Sequence, residues 1–258
     1  CKFVIQNKQK GTADAIEQAK NKIDTNNVLI LFGDAPLINV LSLKKLIRKY
    51  FSSKVKASII AFRTSNPFGY GRIITNNNQL IEIIEQVNLK SFQKKINLCN
   101  SGILIANKKI LFENLRKIKK NNIKKERYLP DLLKILYDNK INTNFIECSE
   151  NEMLGINTLE DYNKVNNILQ KNYIEKFINN GVNFLKPETC YLSYDTKIEP
   201  SVMIESNVTI KEKTVIKKGV IIKSNSYLEG VTIKENCTIG PNARIRPKST
   251  IGENTKIG

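Results

Sequence analysis

The sequence predicts an α/β layered domain with a mostly parallel sheet over residues 1–157, a helical arm and linker over 158–194, and a left-handed parallel β-helix over 195–258. Three observations predict this. Short apolar runs alternate with helical periodicity in the first part. One long amphipathic stretch follows. Beyond residue 195 aliphatic side chains recur every six residues, a period that neither a helix nor an alternating strand produces.

In chain order, Val28 to Phe32 is a continuous apolar run meeting Gly33-Asp34 and predicts a buried parallel strand. Leu41 to Phe51 carries apolar residues at helical spacing with lysines between them. Ala57 to Phe62 predicts a strand, and NPFGYG after it a loop. Arg72–Thr75 and Leu80–Glu85 flank the polar tip Asn76-Asn77-Asn78, a hairpin signal. Gly102–Ala106 predicts a strand, Arg127–Tyr137 a helix and Thr143–Cys148 a strand. Residues 158–180 form the long helix, with Thr158 as N-cap, Asp161 three residues on, and Gly181 as the stop.

The six-residue repeat runs through Ile198, Ile204, Ile210, Ile216, Ile222 and Leu228, and after one five-residue step through Ile233, Ile239, Ile245, Ile251 and Ile257. Four residues after most of these stands a small or β-branched side chain, such as Val202, Val208, Thr214, Val220, Cys237 or Ala243. In a β-helix the large aliphatic fills the interior. The second inward position must be small, because successive coils are only about 4.8 Å apart.

Composition narrows the chemistry. The 258 residues include no histidine, so Ser-His-Asp and Cys-His nucleophiles, histidine bases and histidine metal sites are excluded. A metal must be held by carboxylates, amides, thiolates or ligand oxygens. The formal charge of +18 has two readings, a solvated lysine surface or a polyanion-binding role. Lys, Asn and Ile supply 105 of the 258 residues, the bias of AT-rich codons, and the basic excess is spread over both parts; both facts favour the solvated surface, with no nucleic-acid partner. Cys1, Cys99, Cys148, Cys190 and Cys237 are scattered, as expected of reduced thiols in a cytoplasmic protein. No run reaches the roughly 18 apolar residues of a membrane span, so no membrane insertion is expected. A start at Cys1 within strand-like Phe3-Val4-Ile5, and a repeat still running at Gly258, predict a fragment cut at both ends.

Open α/β sheets place ligands beyond the carboxyl ends of their strands. Asp34 follows the run LILFG there, suited either to holding Mg²⁺ or to capping a turn before Pro36. The ordered segments Gln6…Gly11-Thr12, Phe32-Gly33-Asp34-Ala35-Pro36-Leu37, Gly69-Tyr70-Gly71-Arg72-Ile73, Ile84-Glu85, Asn100-Ser101-Gly102-Ile103 and Gly155-Ile156-Asn157, with a hexapeptide β-helix behind them, closely resemble the bacterial bifunctional N-acetylglucosamine-1-phosphate uridylyltransferases/glucosamine-1-phosphate acetyltransferases.

The resemblance implies a Rossmann-like nucleotidyltransferase domain that joins UTP to N-acetylglucosamine-1-phosphate and releases pyrophosphate. It implies uracil contacts from Gln6, Gly11 and Thr12, and substrate contacts from Phe32 and Gly33. It implies Mg²⁺ ligands in Asp34 and Asn157, and an acetamido-sugar pocket at Gly71, Glu85 and Asn100. Read alone, Glu85 is an ordinary strand residue, and Asn100 and Asn157 are turn residues. The family usually has Tyr at Phe32 and often His at Asp14. Its glycine-rich loop and nucleotide-binding lysine lie before Cys1, so no transferase activity is expected of this chain by itself. The β-helix implies a homotrimer and acetyl transfer from acetyl-CoA. Arg246 resembles an arginine that contacts sugar phosphate there, and read alone it is an exposed prism side chain; the rest of that site lies past Gly258. Alternatives are a transferase making GDP-mannose, ADP-glucose or dTDP-glucose, and a non-catalytic regulatory subunit of the same fold.

Overall fold

The computed structural model describes residues 1–76, 79–119 and 126–258, and Asn77 and Asn78 of the expected hairpin tip lie outside it. The chain divides into two compact units, Cys1–Asn157 and Thr158–Gly258.

The first unit is built from α1 (Thr12–Gln18), β1 (Asn27–Ile30), α2 (Val40–Ser52), β2 (Ala57–Arg63), β3 (Arg72–Asn76), β4 (Gln79–Ile84), β5 (Leu98–Asn107), α3 (Lys108–Leu115), α4 (Asp131–Asp138) and β6 (Thr143–Cys148). The sheet order is β4-β3-β5-β2-β6, with β1 also on β5. Strand β5 is long enough to pair on one edge with two partners, β1 near Asn107 and β3 at Cys99, while β2 follows its other edge. Apolar side chains from both sheet faces fill two cores. One, around Leu46, Phe62 and Cys99, lies under α2; the other, around Leu80, Leu111 and Leu132, lies under α3 and α4.

Three expectations are corrected here. The sheet is not mostly parallel: among the described residues only β2 and β6 pair in parallel. The run at Val28–Phe32 gives a strand that ends at Ile30, is only half-buried and lies antiparallel to β5. The helix expected from Arg127 starts at Asp131, after Pro130, whose ring pre-sets the helical φ at the entry. The shortened helix leaves Tyr128 and Leu129 as a loop.

In the second unit, α5 (Leu159–Asn179) begins with a capping box: the Thr158 side chain accepts from Asp161 N–H, and the Asp161 carboxylate accepts from Thr158 N–H. Two-residue strands then stack as three parallel sheets. The repeat positions Ile204, Ile210, Ile216, Ile222, Leu228, Ile233 and Ile239 are all 0% exposed, and Val208, Thr214, Val220 and Cys237 close the gaps between them. Corner residues Ser201, Asn207, Lys213, Gly219, Asn225, Asn236, Asn242, Lys248 and Asn254 all have positive φ, and Gly230 does so at the five-residue step. Asn is the side chain that best tolerates that conformation after Gly, and every Asn of residues 195–258 stands at such a corner.

The prism begins earlier than its sequence repeat. Asn183-Phe184 pairs with Met203-Ile204, and Tyr191-Leu192 pairs with Thr209-Ile210, in the same parallel register as every later coil. Helix α5 is also more than an arm. Ile174 and Phe177 belong to the prism core, and the Gln170 amide both donates to Leu192 C=O and accepts from Leu192 N–H at 2.9 Å. The helix thereby covers the first coil.

Candidate functional site

A cavity of about 460 Å³ opens in the first unit. The start of α1, four loops and the middle of β5 build it: Thr12 at the start of α1, Phe32 beyond β1, Gly69-Tyr70-Gly71 before β3, Glu85-Gln86-Val87 after β4, Asn100 to Gly102 in β5, and Tyr128-Leu129-Pro130 before α4.

The centre of the site is a kink in β5. The β2–β5 register shifts between Ile59 and Ala61, opposite Asn100 to Gly102. Gly102 has φ +82, the Asn100 carbonyl Oδ1 accepts from Gly102 N–H at 3.1 Å, and the Ser101 hydroxyl donates to Ile60 C=O at 2.7 Å. The sequence Asn-Ser-Gly suits this bulge because each residue supplies a bond or a conformation that the ladder lacks there. Phe32 packs on the space left by Gly102: a Cβ on Gly102 would stand 2.0 Å from its ring. The bulge thus seats Phe32 on the cavity wall and leaves Asn100 Nδ2 without an acceptor among the described residues.

The cavity is mostly apolar, with Ile59, Ile83, Leu104, Leu129 and Leu133 among its lining. Neither Lys nor Arg lines it, and Glu85 is its one carboxylate among the described residues. Burial, and then the negative charge of Asp131, push the Glu85 carboxyl above its ordinary value. Burial does the same to Asp131. The Tyr128 phenol is also raised, by burial first and then by the charges of Glu126 and Glu85.

Of the residues expected at the site, Thr12, Phe32, Gly71, Glu85 and Asn100 share this cavity. Thr12 Oγ1 is engaged by Leu129 N–H at 2.9 Å. Gln6 and Gly11 do not line it. The Gln6 amide donates to Asp14 Oδ2 at 2.7 Å and to Gly11 C=O at 3.2 Å, and a Cβ on Gly11 would stand 2.4 Å from the Arg127 carbonyl oxygen. Gly11 therefore answers an internal close approach. Gly33, Asp34 and Asn157 also lie outside the cavity lining, exposed on two loops that the Ile156 N–H to Asp34 C=O bond joins at 2.9 Å. Arg246 is exposed on the prism and makes no ion pair among the described residues.

Asp34 and Asn157 are a carboxylate and an amide on adjoining loops. That donor set fits Mg²⁺, which takes one or two protein oxygens and completes its shell with water and phosphate. Among the described residues no group of three or more His, Cys, Asp or Glu could hold a metal. Tyr128, Gln86 and Asp131 are site neighbours that sequence reasoning missed. Gln86 follows Glu85 in the chain, while Tyr128 and Asp131 are brought to it by the long-range packing of α4 on β4.

Comparison with known proteins shows the family. The nucleotidyl transferase family model matches residues 1–172, and the bacterial transferase hexapeptide model, six repeats, matches residues 230–258. The chain belongs to the nucleotidyl transferase family. Among curated proteins it is similar to those named bifunctional protein GlmU. The protein of Bartonella bacilliformis is 36% identical over 201 residues, 77% of this chain and 44% of that protein. That of Streptococcus uberis is 34% identical over 205 residues, 78% and 45% of the two chains. The chain thus spans less than half the length of these relatives. Among solved structures, a CMP:2-keto-3-deoxy-manno-octonic acid synthetase complexed with CTP aligns with a TM-score of 0.46 and 15% identity, covering 62% of this chain and 68% of that one. No helix among the described residues is long and apolar enough to cross a membrane.

Proposed function

We propose that the first unit binds the sugar of a sugar-1-phosphate nucleotidyltransferase whose reaction joins UTP to N-acetylglucosamine-1-phosphate. The observation that carries this reading is the cavity's composition: mostly apolar walls, one half-buried carboxylate, the amides of Gln86 and Asn100 and, among the described residues, no lining cation. Such a pocket suits a neutral, hydroxyl-bearing ring with an apolar substituent and suits a phosphate poorly. Glu85 accepts from sugar hydroxyls, Asn100 Nδ2 donates to a carbonyl or hydroxyl oxygen, and the aliphatic walls enclose the acetamido methyl. The phosphates lie outside the cavity, towards the loops of Asp34 and Asn157, which would hold Mg²⁺. Mg²⁺ there would supply neutralisation of phosphate charge; in the reaction a sugar-phosphate oxygen attacks the α-phosphorus of UTP and the bond to pyrophosphate breaks. The protein's own contribution is orientation and exclusion of water.

Calorimetric titration of the chain with UDP-N-acetylglucosamine, GDP-mannose, ADP-glucose and dTDP-glucose in Mg²⁺ tests this. The first should bind about tenfold or more tightly than the others. Preference for another nucleotide sugar overturns the substrate assignment. A protein that joins this chain to the missing length of its relatives should release pyrophosphate from UTP and N-acetylglucosamine-1-phosphate.

For the second unit we infer assembly into a homotrimer, as part of a longer protein that transfers acetyl from acetyl-CoA. The hexapeptide match and the likeness to bifunctional relatives support it. Light scattering should give three times the chain mass, and a monomer at micromolar concentration overturns it.

A further inference from the structure

Arg72 is 2% exposed, yet no carboxylate lies within ion-pair distance of it among the described residues. Its guanidinium donates through Nη2 to Gln86 Oε1 at 2.8 Å and through Nη1 to the Tyr70 carbonyl, while Nε is buried without an acceptor. An unpaired buried cation is unfavourable, and an apolar side chain of similar volume would hold the same place in the core at least as well. Stability alone does not account for an arginine here.

Its two acceptors do. Tyr70 and Gln86 lie on different loops, and both line the cavity. Between them stand the groups assigned to the sugar. Gly71 C=O accepts from Asn100 N–H at 2.9 Å, and the Glu85 Oε1 atom is 3.3 Å from where a Cβ on Gly71 would be. A rigid planar fork is the side chain that can hold two such acceptors at a set separation. We propose that Arg72 is a positioning residue for sugar binding, a clasp that joins the Tyr70 and Gln86 walls and so fixes Glu85 relative to Gly71 and Asn100. This rests on the sugar-binding reading above.

Arg72→Met, Arg72→Lys and Gln86→Met test it, with UDP-N-acetylglucosamine as ligand and UDP as the control that lacks a sugar. Arg72→Met should weaken the nucleotide sugar by about tenfold or more and leave UDP unchanged. Its melting temperature should equal or exceed that of the parent. Arg72→Lys keeps the charge but cannot span both acceptors, and should weaken the sugar similarly. The double variant Arg72→Met/Gln86→Met should be no weaker than Arg72→Met alone. A melting temperature that falls together with both affinities, or a sugar affinity left unchanged, overturns the proposal. Should Arg72→Met fail to fold, the same sugar-against-UDP comparison on Gln86→Met decides. Hydrogen exchange needs no ligand: amides of residues 69–71 and 86–89 should exchange about tenfold faster in Arg72→Met, with those of β2 unchanged. Unaltered exchange defeats the clasp, whereas a parent chain that binds no nucleotide sugar defeats the sugar reading.

Discussion

The backbone N–H of Asn100 donates to the carbonyl of Gly71 across 2.9 Å, tying the bulge in β5 to the loop that enters β3. The polar wall of the cavity is assembled at that bond. Everything expected of the site depends on how the Asn100 side chain is divided: its oxygen serves the bulge, and its nitrogen faces no partner among the described residues.

Replacing Asn100 by Ala should therefore affect two measurements at once. Loss of the bond to Gly102 N–H should lower unfolding free energy by about 1 kcal/mol in urea titration. Loss of the Nδ2 donor should weaken UDP-N-acetylglucosamine by about tenfold in calorimetry. A change in stability with unaltered affinity would remove Asn100 from the sugar pocket.

Glu85 yields a prediction in pH. Its carboxyl is raised in the folded state by burial and by Asp131, so between its ordinary value of 4.5 and the raised value the folded chain binds more protons than the unfolded one. Stability on this account falls as pH rises through that window, and the penalty is complete above it. Glu85→Gln should match the parent near pH 4 and exceed it in stability at pH 7, while binding the nucleotide sugar more weakly. Urea unfolding at a series of pH values checks the sign; a variant less stable at pH 7 contradicts it.

Gly102→Ala should be among the more damaging small substitutions in the first unit. The residue has φ +82, and a Cβ would enter the Phe32 ring. A loss of about 2 kcal/mol or more is expected, together with displacement of Phe32 from the cavity wall. Near-ultraviolet circular dichroism reports the second effect.

In the prism, Thr214 should tolerate the opposite kind of change. Its side chain is 0% exposed and its hydroxyl has no partner among the described residues, while the next coil presents Val231 at the stacked position. Thr214→Val keeps the shape and removes a buried unsatisfied group, which should raise unfolding free energy by about 1–2 kcal/mol. A destabilised variant would show that the hydroxyl is in fact bonded.

Where local chemistry decides the structure, the residues were sufficient. The capping box at Thr158 and Asp161 and the aliphatic period from Ile198 are local signals, and both appear in the fold. Strand direction is different. Nothing in the apolar run at Val28 says that its neighbour β5 runs the other way, because pairing direction is set by distant residues. Pro130 could have warned that a helix from Arg127 would be interrupted. In the site, the motif residues Thr12, Phe32, Gly71, Glu85 and Asn100 converge because each lies at a strand end or bulge. The burial of Arg72 and the approach of Asp131 to Glu85 were invisible in sequence, since the first depends on two loops and the second on how α4 lies against the sheet.

The in-register coils have a consequence for what lengths of chain the prism can gain or lose. Asn207 and Asn225, 18 residues apart, occupy equivalent corners one coil apart and are bonded side chain to side chain. An insertion or deletion of one whole coil would leave every later side chain on its original face. A change of a single hexad would preserve the buried aliphatic positions equally well and yet rotate everything downstream by a third of a turn. The core would be blind to that error. Only what the outer faces recognise could detect it, so the unit in which such a prism can be lengthened without loss of function is the coil rather than the hexad.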